Sequence, residues 1–259
     1  MKRKVTVIKV GGKIVETPQT LERLLQDFAA ISGEKLLVHG GGRTATDVAR
    51  QLGVETHMVD GRRITDAEML RIVTMVYGGL VNKNLVARLQ SRGVNALGLC
   101  GADMDVIRSH RRPPVGGIDY GFVGDVDRVD GSRLAALLAA GITPVLAPLT
   151  HDGEGHLLNT NADTIASETA KALAEAGLDV TLVYTFEHAG VLSNPDDEES
   201  VIPLITPHDF PRLKAEGIVS GGMIPKIENA LRAVEQGVRR VVITRADAID
   251  GFCGTSIEA

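Results

Sequence analysis

The stretch KVTVIKVGG, residues 4–12, joins an apolar run rich in β-branched residues to two consecutive glycines. A second stretch, LLVHGGG at residues 36–42, repeats this arrangement with three glycines. Valine and isoleucine favour strands, and an unbroken apolar run is typical of a strand buried on both faces. Because a helical pattern follows each glycine cluster, the two stretches predict parallel strands joined by helices.

The same alternation of apolar runs and helical patterns continues along the chain, and it favours the α/β class. We predict a three-layer α/β/α sandwich with a mostly parallel central sheet. The pattern restarts after residue 176, which predicts two lobes, residues 1–176 and residues 177–259. Predicted strands cover residues 4–10, 36–39, 96–99, 143–146, 180–184 and 239–244, and predicted helices cover 20–31, 44–52, most of 66–92, 134–140, 161–176 and 223–235.

The composition excludes several classes of function. The 259 residues are 44% hydrophobic and carry a formal net charge of -5, so the chain lacks the basic surface that nucleic acids and bilayers usually require. No apolar run reaches the roughly 18 residues of a membrane span, and no signal peptide is recognisable. Cysteines and histidines do not occur at metal-ligand spacing. We therefore expect a cytoplasmic protein that binds small molecules and has no metal site of its own.

Three glycine clusters suggest where an anion would bind. Gly11 and Gly12 follow the first predicted strand, Gly40–Gly42 follow the second, and Gly221 and Gly222 precede a predicted helix. Glycine lets backbone N–H groups approach an oxyanion closely, and the amino end of a helix adds partial positive charge. The simpler alternative is that strand-to-helix turns use glycine for their geometry alone.

A dinucleotide site is a second alternative for the middle cluster. The sequence GGGRTA, residues 40–45, fits the G-x-G-x-x-G/A fingerprint, and Asp60 lies at the distance expected of a ribose-binding acid. Against this reading, the motif follows the second strand instead of the first, Arg43 lies inside it, and no pair of residues suited to hydride transfer is evident. A P-loop is excluded because Lys13 is followed by Ile14 where serine or threonine is required.

Charged residues at the ends of predicted elements favour the anion hypothesis. Lys9 ends the first strand, where burying its ammonium group is costly unless an anion or acid meets it; the alternative is a lysine that reaches solvent. Lys226 lies about one turn inside the helix that follows the third glycine cluster. Asp163 lies in the first turn of another helix, where it could also serve only to complement the helix dipole.

Five motifs together resemble the acetylglutamate kinases of the amino-acid kinase family. This resemblance covers nearly the whole chain in order, spacing and length. It implies an N-terminal lobe that binds an acyl amino acid and forms a homodimer, and a C-terminal lobe that binds ATP. The motifs are KVGG (9–12), HGGG (39–42), GRRIT (61–65), NTNAD (159–163) and GGMIPK (221–226).

The implied reaction moves the γ-phosphoryl group of MgATP to the side-chain carboxylate of N-acetyl-L-glutamate, a step of arginine biosynthesis. The resemblance places Lys9 and Lys226 on the transferring phosphoryl group, with Asp163 holding both ammonium groups and Mg²⁺ carried by the ATP phosphates. It assigns substrate binding to Gly41, Gly42, Arg63 and Asn159, phosphate binding to Gly11, Gly12 and Gly222, and nucleotide binding to Tyr184, Thr185, Gly190, Ile218, Val219 and Ser220.

Two segments depart from the family pattern. Residues 183–192, VYTFEHAGVL, lack the usual aspartate and are longer than the usual turn, which leaves the adenine and ribose contacts open. Residues 109–126 form a basic loop rich in proline and glycine. This loop is either a solvated surface segment, or one of its arginines, Arg111 or Arg112, meets a second carboxylate, as on an N-succinyl group.

Alternatives therefore remain open at this point. Within the kinase class, the sequence does not distinguish N-acetyl-L-glutamate from N-succinyl-L-glutamate. Outside it, the alternatives are a Rossmann-type NAD(P) oxidoreductase and a non-catalytic amino-acid sensor. Because the first strand begins near residue 4, without the N-terminal helix of arginine-inhibited relatives, we also expect a dimer that arginine does not inhibit.

Overall fold

A computed structural model describes the chain apart from Met1, Asp60, Pro195 and Gly222, and apart from the side chains of Lys13 and Glu16. Its centre is an eight-stranded sheet in which β13 and β14 are antiparallel and the other neighbouring strands are parallel. This confirms the predicted α/β class. The spatial order is β12 (Leu204–Ile205), β14 (Thr255–Ile257), β13 (Arg240–Arg245), β11 (Asp179–Phe186), β1 (Lys4–Val10), β2 (Glu34–His39), β8 (Thr143–Leu146) and β5 (Ala96–Leu99).

Both faces of this sheet are buried against helices. Along β1, Val5 and Val7 pack into one hydrophobic core, whereas Ile8 and Val10 pack into another. Successive side chains of a strand point to opposite faces, so an unbroken apolar strand supplies two cores at once. The helices are α6 (Gly131–Ala139), α7 (Ala162–Glu175), α8 (Phe210–Ala215) and α9 (Met223–Glu235) on the first face, and α1 (Gly12–Glu16), α2 (Pro18–Ala30), α3 (Gly42–Gln51), α4 (Ala67–Val73) and α5 (Asn82–Gln90) on the second.

The long helix predicted within residues 66–92 is present, with an irregular centre. Helix α4 continues into a π-helical segment, Thr74–Val81, and then into α5. Asp66 caps the amino end of α4, because its side chain accepts a hydrogen bond of 2.8 Å from the backbone N–H of Met69. The described residues contain no helix that is both long enough and apolar enough to span a membrane.

A second, smaller sheet packs beside the first, and it corrects the prediction that residues 109–126 form a loop. Both ends of that stretch lie in paired strands, and only the connection between them is irregular. Charged residues that alternate with buried ones, as in IRSHR, obscured the first strand in the sequence. The small sheet contains β10 (Leu157–Asn159), β9 (Leu149–His151), β6 (Ile107–Arg111) and β7 (Gly124–Val129), and a separate ribbon contains β3 (Met58–Val59) and β4 (Arg62–Arg63).

The position of β1 brings the glycine clusters together. In the parallel register Lys9 lies beside Val38 on β2 and beside Tyr184 on β11. The carboxyl ends of these three strands therefore meet at one edge of the sheet, where open α/β sheets usually bind ligands. Because β1 lies between strands of both predicted lobes, a single sheet runs through them, and the boundary near residue 176 remains a prediction.

Candidate active site

Lys9 and Asp163 form an ion pair at the carboxyl edge of the sheet. The Lys9 ammonium lies 2.7 Å from Oδ1 of Asp163, and the two side chains are 12% and 40% exposed. Burying an ammonium group this far is unfavourable unless an acid compensates for the lost hydration. The lysine is thus held inside the protein and does not extend into solvent.

The start of α7 fixes the position of Asp163. Asn161 caps this helix, and its side-chain oxygen accepts hydrogen bonds from the backbone N–H groups of Asp163, at 2.7 Å, and Thr164, at 3.3 Å. The Tyr184 hydroxyl donates to the carbonyl of Asp163 at 3.1 Å. The motif NTNAD therefore both begins a helix and aims a carboxylate at Lys9, which is more than complementing the helix dipole.

Lys226 is held differently from Lys9. Its ammonium lies 4.0 Å from the centroid of the Phe186 ring, a cation–π contact, and the described residues form no ion pair between Lys226 and Asp163. This corrects the expectation that Asp163 holds both ammonium groups. Burial lowers the pKa of Lys226 and the nearby Lys9 lowers it further, whereas Asp163 and Glu187 raise it. Two ammonium groups, of which only Lys9 is paired with a carboxylate, favour a bound anion.

The space in front of these groups is a cavity of about 590 Å³, which we call the lysine cavity. Backbone groups of two predicted glycine clusters, Gly11 with Gly12 and Gly42, border it. The first N–H groups of a helix have no partner within that helix, so the amino ends of α1 and α3 offer donors to an anion here. The residues that define the cavity are Lys9, Gly11, Gly12, Arg43, Asp163 and Lys226.

A second, smaller cavity of about 180 Å³ adjoins the first, and we call it the arginine cavity. Gly42, Met58 and Arg63 border both cavities, so a single ligand can extend from one into the other. The predicted substrate residues Gly41, Gly42, Arg63 and Asn159 all lie here. The residues that define the cavity are Gly41, Arg62, Arg63, Tyr77, Val123 and Asn159.

Arg63 is a buried cation held by neutral acceptors. Its Nη2 donates to the carbonyl of Gly42 at 2.7 Å and to the hydroxyl of Thr46 at 2.9 Å, and its Nη1 donates to the hydroxyl of Thr56 at 3.2 Å. These contacts fix the guanidinium against the first turn of α3. Nη1 also donates to the sulfur of Met69 at 3.9 Å, and since a guanidinium has five N–H donors, Nε–H remains for a ligand carboxylate.

Asn159 reaches the arginine cavity from the small sheet. It ends β10, and its side-chain amide donates to the hydroxyl of the fully buried Thr65 at 2.9 Å. This hydrogen bond orients the amide, and it joins the NTNAD motif to the GRRIT motif.

The glycine turns pack directly against each other. A Cβ atom at Gly40 would lie 3.0 Å from the backbone nitrogen of Gly12, and one at Gly41 would lie 3.1 Å from the ring of Tyr77. Gly40 also donates its N–H to the carbonyl of Val10 at 2.9 Å. Close packing against the Gly12 backbone and the Tyr77 ring therefore favours glycine at these positions, in addition to any role in anion binding.

His39 supports the second glycine turn from inside the fold. It is fully buried, its Nδ1 lies 2.7 Å from the carbonyl of Gly40, and its Nε2 lies 3.1 Å from the side-chain nitrogen of Asn82. Because the Asn82 amide can only donate, Nε2 accepts and Nδ1 carries the proton that is donated to Gly40. Burial is the main cause that lowers the pKa of His39 to about 4, and the ring is neutral.

The predicted nucleotide residues divide into two groups. Thr185 borders the lysine cavity, and its hydroxyl donates to the carbonyl of Lys9 at 3.1 Å. Tyr184, Gly190 and Val219 are buried in the fold and do not border the lysine cavity, and their nucleotide binding stays a prediction. Burial raises the pKa of the Tyr184 hydroxyl, which stays protonated and orders Asp163.

Two of the other predicted residues lie just before α9, and two are not described by the structure. Ile218 is partly buried against the core and Ser220 is exposed, both just before α9. Gly222, predicted to bind phosphate, and Asp60, which supported the dinucleotide alternative, lie outside the described residues.

Several side chains that border these cavities were not predicted as site residues, and four of them are polar or aromatic groups near the cations. Phe186 and Glu187 border the lysine cavity, and Arg62 and Tyr77 border the arginine cavity. The GRRIT motif contains Arg62 and could have identified it. By contrast, Tyr77 lies in the middle of a long helical stretch, and no local pattern marks it as part of a site.

The basic connection between β6 and β7 does not supply a cation to the arginine cavity. Arg111 pairs with Asp119 at 3.0 Å, and Arg112 pairs with Asp125 at 2.7 Å. Neither arginine borders the cavity, although Val123 from the same connection does. The hypothesis that Arg111 or Arg112 meets a second substrate carboxylate is therefore not supported by their positions.

Comparison with known proteins gives a consistent result. The sequence pattern described as the Amino acid kinase family matches residues 4–245. This chain belongs to that family. A family member from Phocaeicola vulgatus, named acetylglutamate kinase, is 65% identical over 258 residues, with 100% of both chains covered. Another from Parabacteroides distasonis, with the same name, is 61% identical over 254 residues, covering 98% of this chain and 99% of its own.

A solved structure of Giardia carbamate kinase shares the fold of this family. Its TM-score is 0.69 at 16% identity, and the match covers 99% of this chain and 98% of that one. The match extends the likeness in architecture to nearly the full length of both chains. The resemblance inferred from the five motifs is confirmed, and nothing in the comparisons favours the oxidoreductase alternative.

Proposed function

We propose that this protein transfers the γ-phosphoryl group of ATP to the side-chain carboxylate of N-acetyl-L-glutamate, which is the step of arginine biosynthesis implied by the names of its relatives. The observation that carries the proposal is the pair of adjoining cavities. One holds two ammonium groups around a single ion pair, and the other holds a fixed guanidinium, with Gly42 and Arg63 shared between them.

The residues suit a transfer that needs no general base. A carboxylate is already ionised at pH 7, so its oxygen attacks the γ-phosphorus directly while the bond from phosphorus to the bridging oxygen of ADP breaks. Lys9 and Lys226 stabilise the negative charge on the transferring group and the leaving oxygen. Asp163 holds Lys9 in place, and Phe186 lies under Lys226, so both cations are positioned before ATP binds.

The residues that border both cavities, Gly42, Met58 and Arg63, align the two reactants. The acylglutamate lies in the arginine cavity with its α-carboxylate at Arg63 and its acyl amide near Asn159. Its side-chain carboxylate then extends past Gly42 into the lysine cavity. Alignment of this kind supplies much of the rate in phosphoryl transfer, because the chain has little covalent chemistry to perform.

Mg²⁺ is carried by the phosphates of ATP in this proposal. Among the described residues that border the lysine cavity, carboxylates occur only at Asp163 and Glu187, and Asp163 is paired with Lys9. That donor set does not fit a separate protein site for the ion. When bound with ATP, the ion supplies further charge neutralisation on the phosphates.

We also propose that the protein is a homodimer and that it is cytoplasmic. Exposed Met75 and Leu80 on the π-helical segment and Leu97 on the edge strand β5 provide apolar surface in the N-terminal lobe. This surface supports a homodimer formed through that lobe. We assign the protein to the cytoplasm, where ATP is available.

The direct test is acyl-phosphate formation. Purified protein is incubated with MgATP and N-acetyl-L-glutamate, and hydroxylamine traps the product as a hydroxamate. We expect one hydroxamate per ADP released, and no ADP release without the acylglutamate. Protection from thermal unfolding by both ligands without turnover would favour the amino-acid sensor, and the kinase proposal would be abandoned.

A further inference from the structure

Arg62 borders the arginine cavity without a partner. It is partly buried on β4, and among the described residues its side chain makes no hydrogen bond and no ion pair. Its neighbour Arg63 makes four hydrogen bonds to neutral acceptors, and Arg111 and Arg112 are paired with aspartates. Among the described residues, Arg62 is thus a cation at the site whose charge no acid compensates.

The cavity wall makes this charge unusual. None of the described residues that border the arginine cavity is an aspartate or a glutamate, although two of them are arginines. Two adjacent cations without an acid favour the binding of anions, because each bound carboxylate offsets repulsion as well as making its own contact. The cavity is therefore suited to a ligand with more negative charge than one guanidinium can balance.

The charges of the proposed substrate leave Arg62 without an anion to bind. In the proposed function, N-acetyl-L-glutamate has two carboxylates, of which one crosses into the lysine cavity and the other lies at Arg63. The acetyl group is uncharged and gives Arg62 nothing to bind.

We propose that Arg62 binds a carboxylate at the end of the acyl group, so that the site prefers N-acylglutamates whose acyl group is a dicarboxylic acid. This inference rests on the proposed function. A guanidinium can hold a carboxylate through two parallel hydrogen bonds, which gives both energy and direction. Arg62 is then a specificity-determining residue for the acyl group and takes no part in phosphoryl transfer.

The experiment compares N-succinyl-L-glutamate with N-acetyl-L-glutamate by kcat/KM in the hydroxamate assay. We expect the wild-type protein to prefer the succinyl substrate. The Arg62→Gln variant should lose about tenfold to a hundredfold in kcat/KM for the succinyl substrate, as expected when one partner of a partly desolvated charge pair is removed. Its kcat/KM for the acetyl substrate should fall by a clearly smaller factor, because the acetyl group offers Arg62 no carboxylate to bind.

The Arg111→Gln variant is the matched control. It also removes one arginine from the same lobe, but its side chain is paired with Asp119 and does not border the cavity. We expect the ratio of the two kcat/KM values to match that of the wild type. The Arg62→Lys variant keeps the charge without the two-pronged geometry, and it should lie between Arg62→Gln and the wild type.

Two results would overturn the role of Arg62, and a third would contradict the proposed function itself. A wild-type protein that uses both substrates equally, or prefers acetyl, overturns the proposal even if Arg62→Gln fails to fold. An equal loss for both substrates in Arg62→Gln also overturns it, because Arg62 would then bind the α-carboxylate. No acyl phosphate from either substrate would instead contradict the proposed function. Calorimetric titration of each acylglutamate without ATP separates binding from turnover.

Discussion

The two cavities share a wall but hold their cations in different ways. In the lysine cavity a carboxylate, Asp163, balances Lys9, and an aromatic ring supports Lys226. In the arginine cavity Arg63 is held by a carbonyl and two hydroxyls, and no described acid borders the space. Neutral acceptors position a cation without neutralising it. The arginine cavity therefore presents cations without an acid to a substrate carboxylate, whereas the cations of the lysine cavity are partly compensated by carboxylates.

The largest expected effect comes from removing the less firmly held ammonium. The Lys226→Met variant keeps an unbranched side chain that is one atom shorter, and it removes the charge. We expect kcat to fall about a thousandfold, because this charge acts mainly in the transition state, with a small change in the KM for the acylglutamate. Steady-state kinetics in the hydroxamate assay measures both values.

Lys214→Met is the control for that experiment. Lys214 also lies near an aromatic ring, that of Phe210, and it pairs with Glu228 at the surface, away from both cavities. Its loss should leave kcat within about twofold of the wild type, as for other surface substitutions. If Lys226→Met raised KM and left kcat unchanged, the two cavities would not differ in the way described above.

The next effect concerns the stability of the second glycine turn, which His39 supports through the carbonyl of Gly40. The pKa of His39 is about 4 in the folded protein and 6.5 in an unfolded chain, so the unfolded state takes up a proton first as the pH falls. The stabilisation is present above pH 6.5 and is lost as the pH falls towards 4, by up to about 3 kcal/mol. Urea unfolding at several pH values measures this loss.

Two substitutions isolate the contribution of His39. In His39→Gln the decrease in the free energy of unfolding between pH 6.5 and pH 4.5 should be smaller than in the wild type. In His208→Gln, which changes an exposed histidine, it should be unchanged. If the wild type and His39→Gln lost stability equally over this range, His39 would not be buried as a neutral ring beneath Gly40.

A smaller effect is expected from Arg63→Lys, which keeps the charge but replaces the planar guanidinium and its several N–H donors with a single ammonium group. An ammonium cannot reach the Gly42 carbonyl, the Thr46 hydroxyl and a substrate carboxylate with the same geometry. We expect the KM for the acylglutamate to rise about tenfold to fiftyfold, while kcat changes less, since the lost contact is present in the ground state. A fall in kcat alone would assign Arg63 to the transferring phosphoryl group instead.

The sequence was sufficient for features that depend on neighbours along the chain. The apolar runs before the glycine clusters identified β1 and β2, and the motif around Asp163 identified the helix start that aims its carboxylate. Features that depend on distant partners could not be read in this way. The ring beneath Lys226 belongs to another element, and the aspartates that neutralise Arg111 and Arg112 depend on how the β6–β7 connection folds. Tyr184 ends the strand predicted over residues 180–184, and only the packed fold shows that its side chain is buried.

Gly42 and Arg63 border both cavities, and this overlap limits how the protein can evolve. In the proposed function a substitution at either residue would disturb acyl binding and phosphoryl transfer together, so we expect few substitutions to be tolerated at these positions. Residues that border only the arginine cavity, such as Arg62 and Val123, are free of that double constraint. Diversification of substrate choice within a lineage can therefore proceed through those residues while the chemical step is preserved.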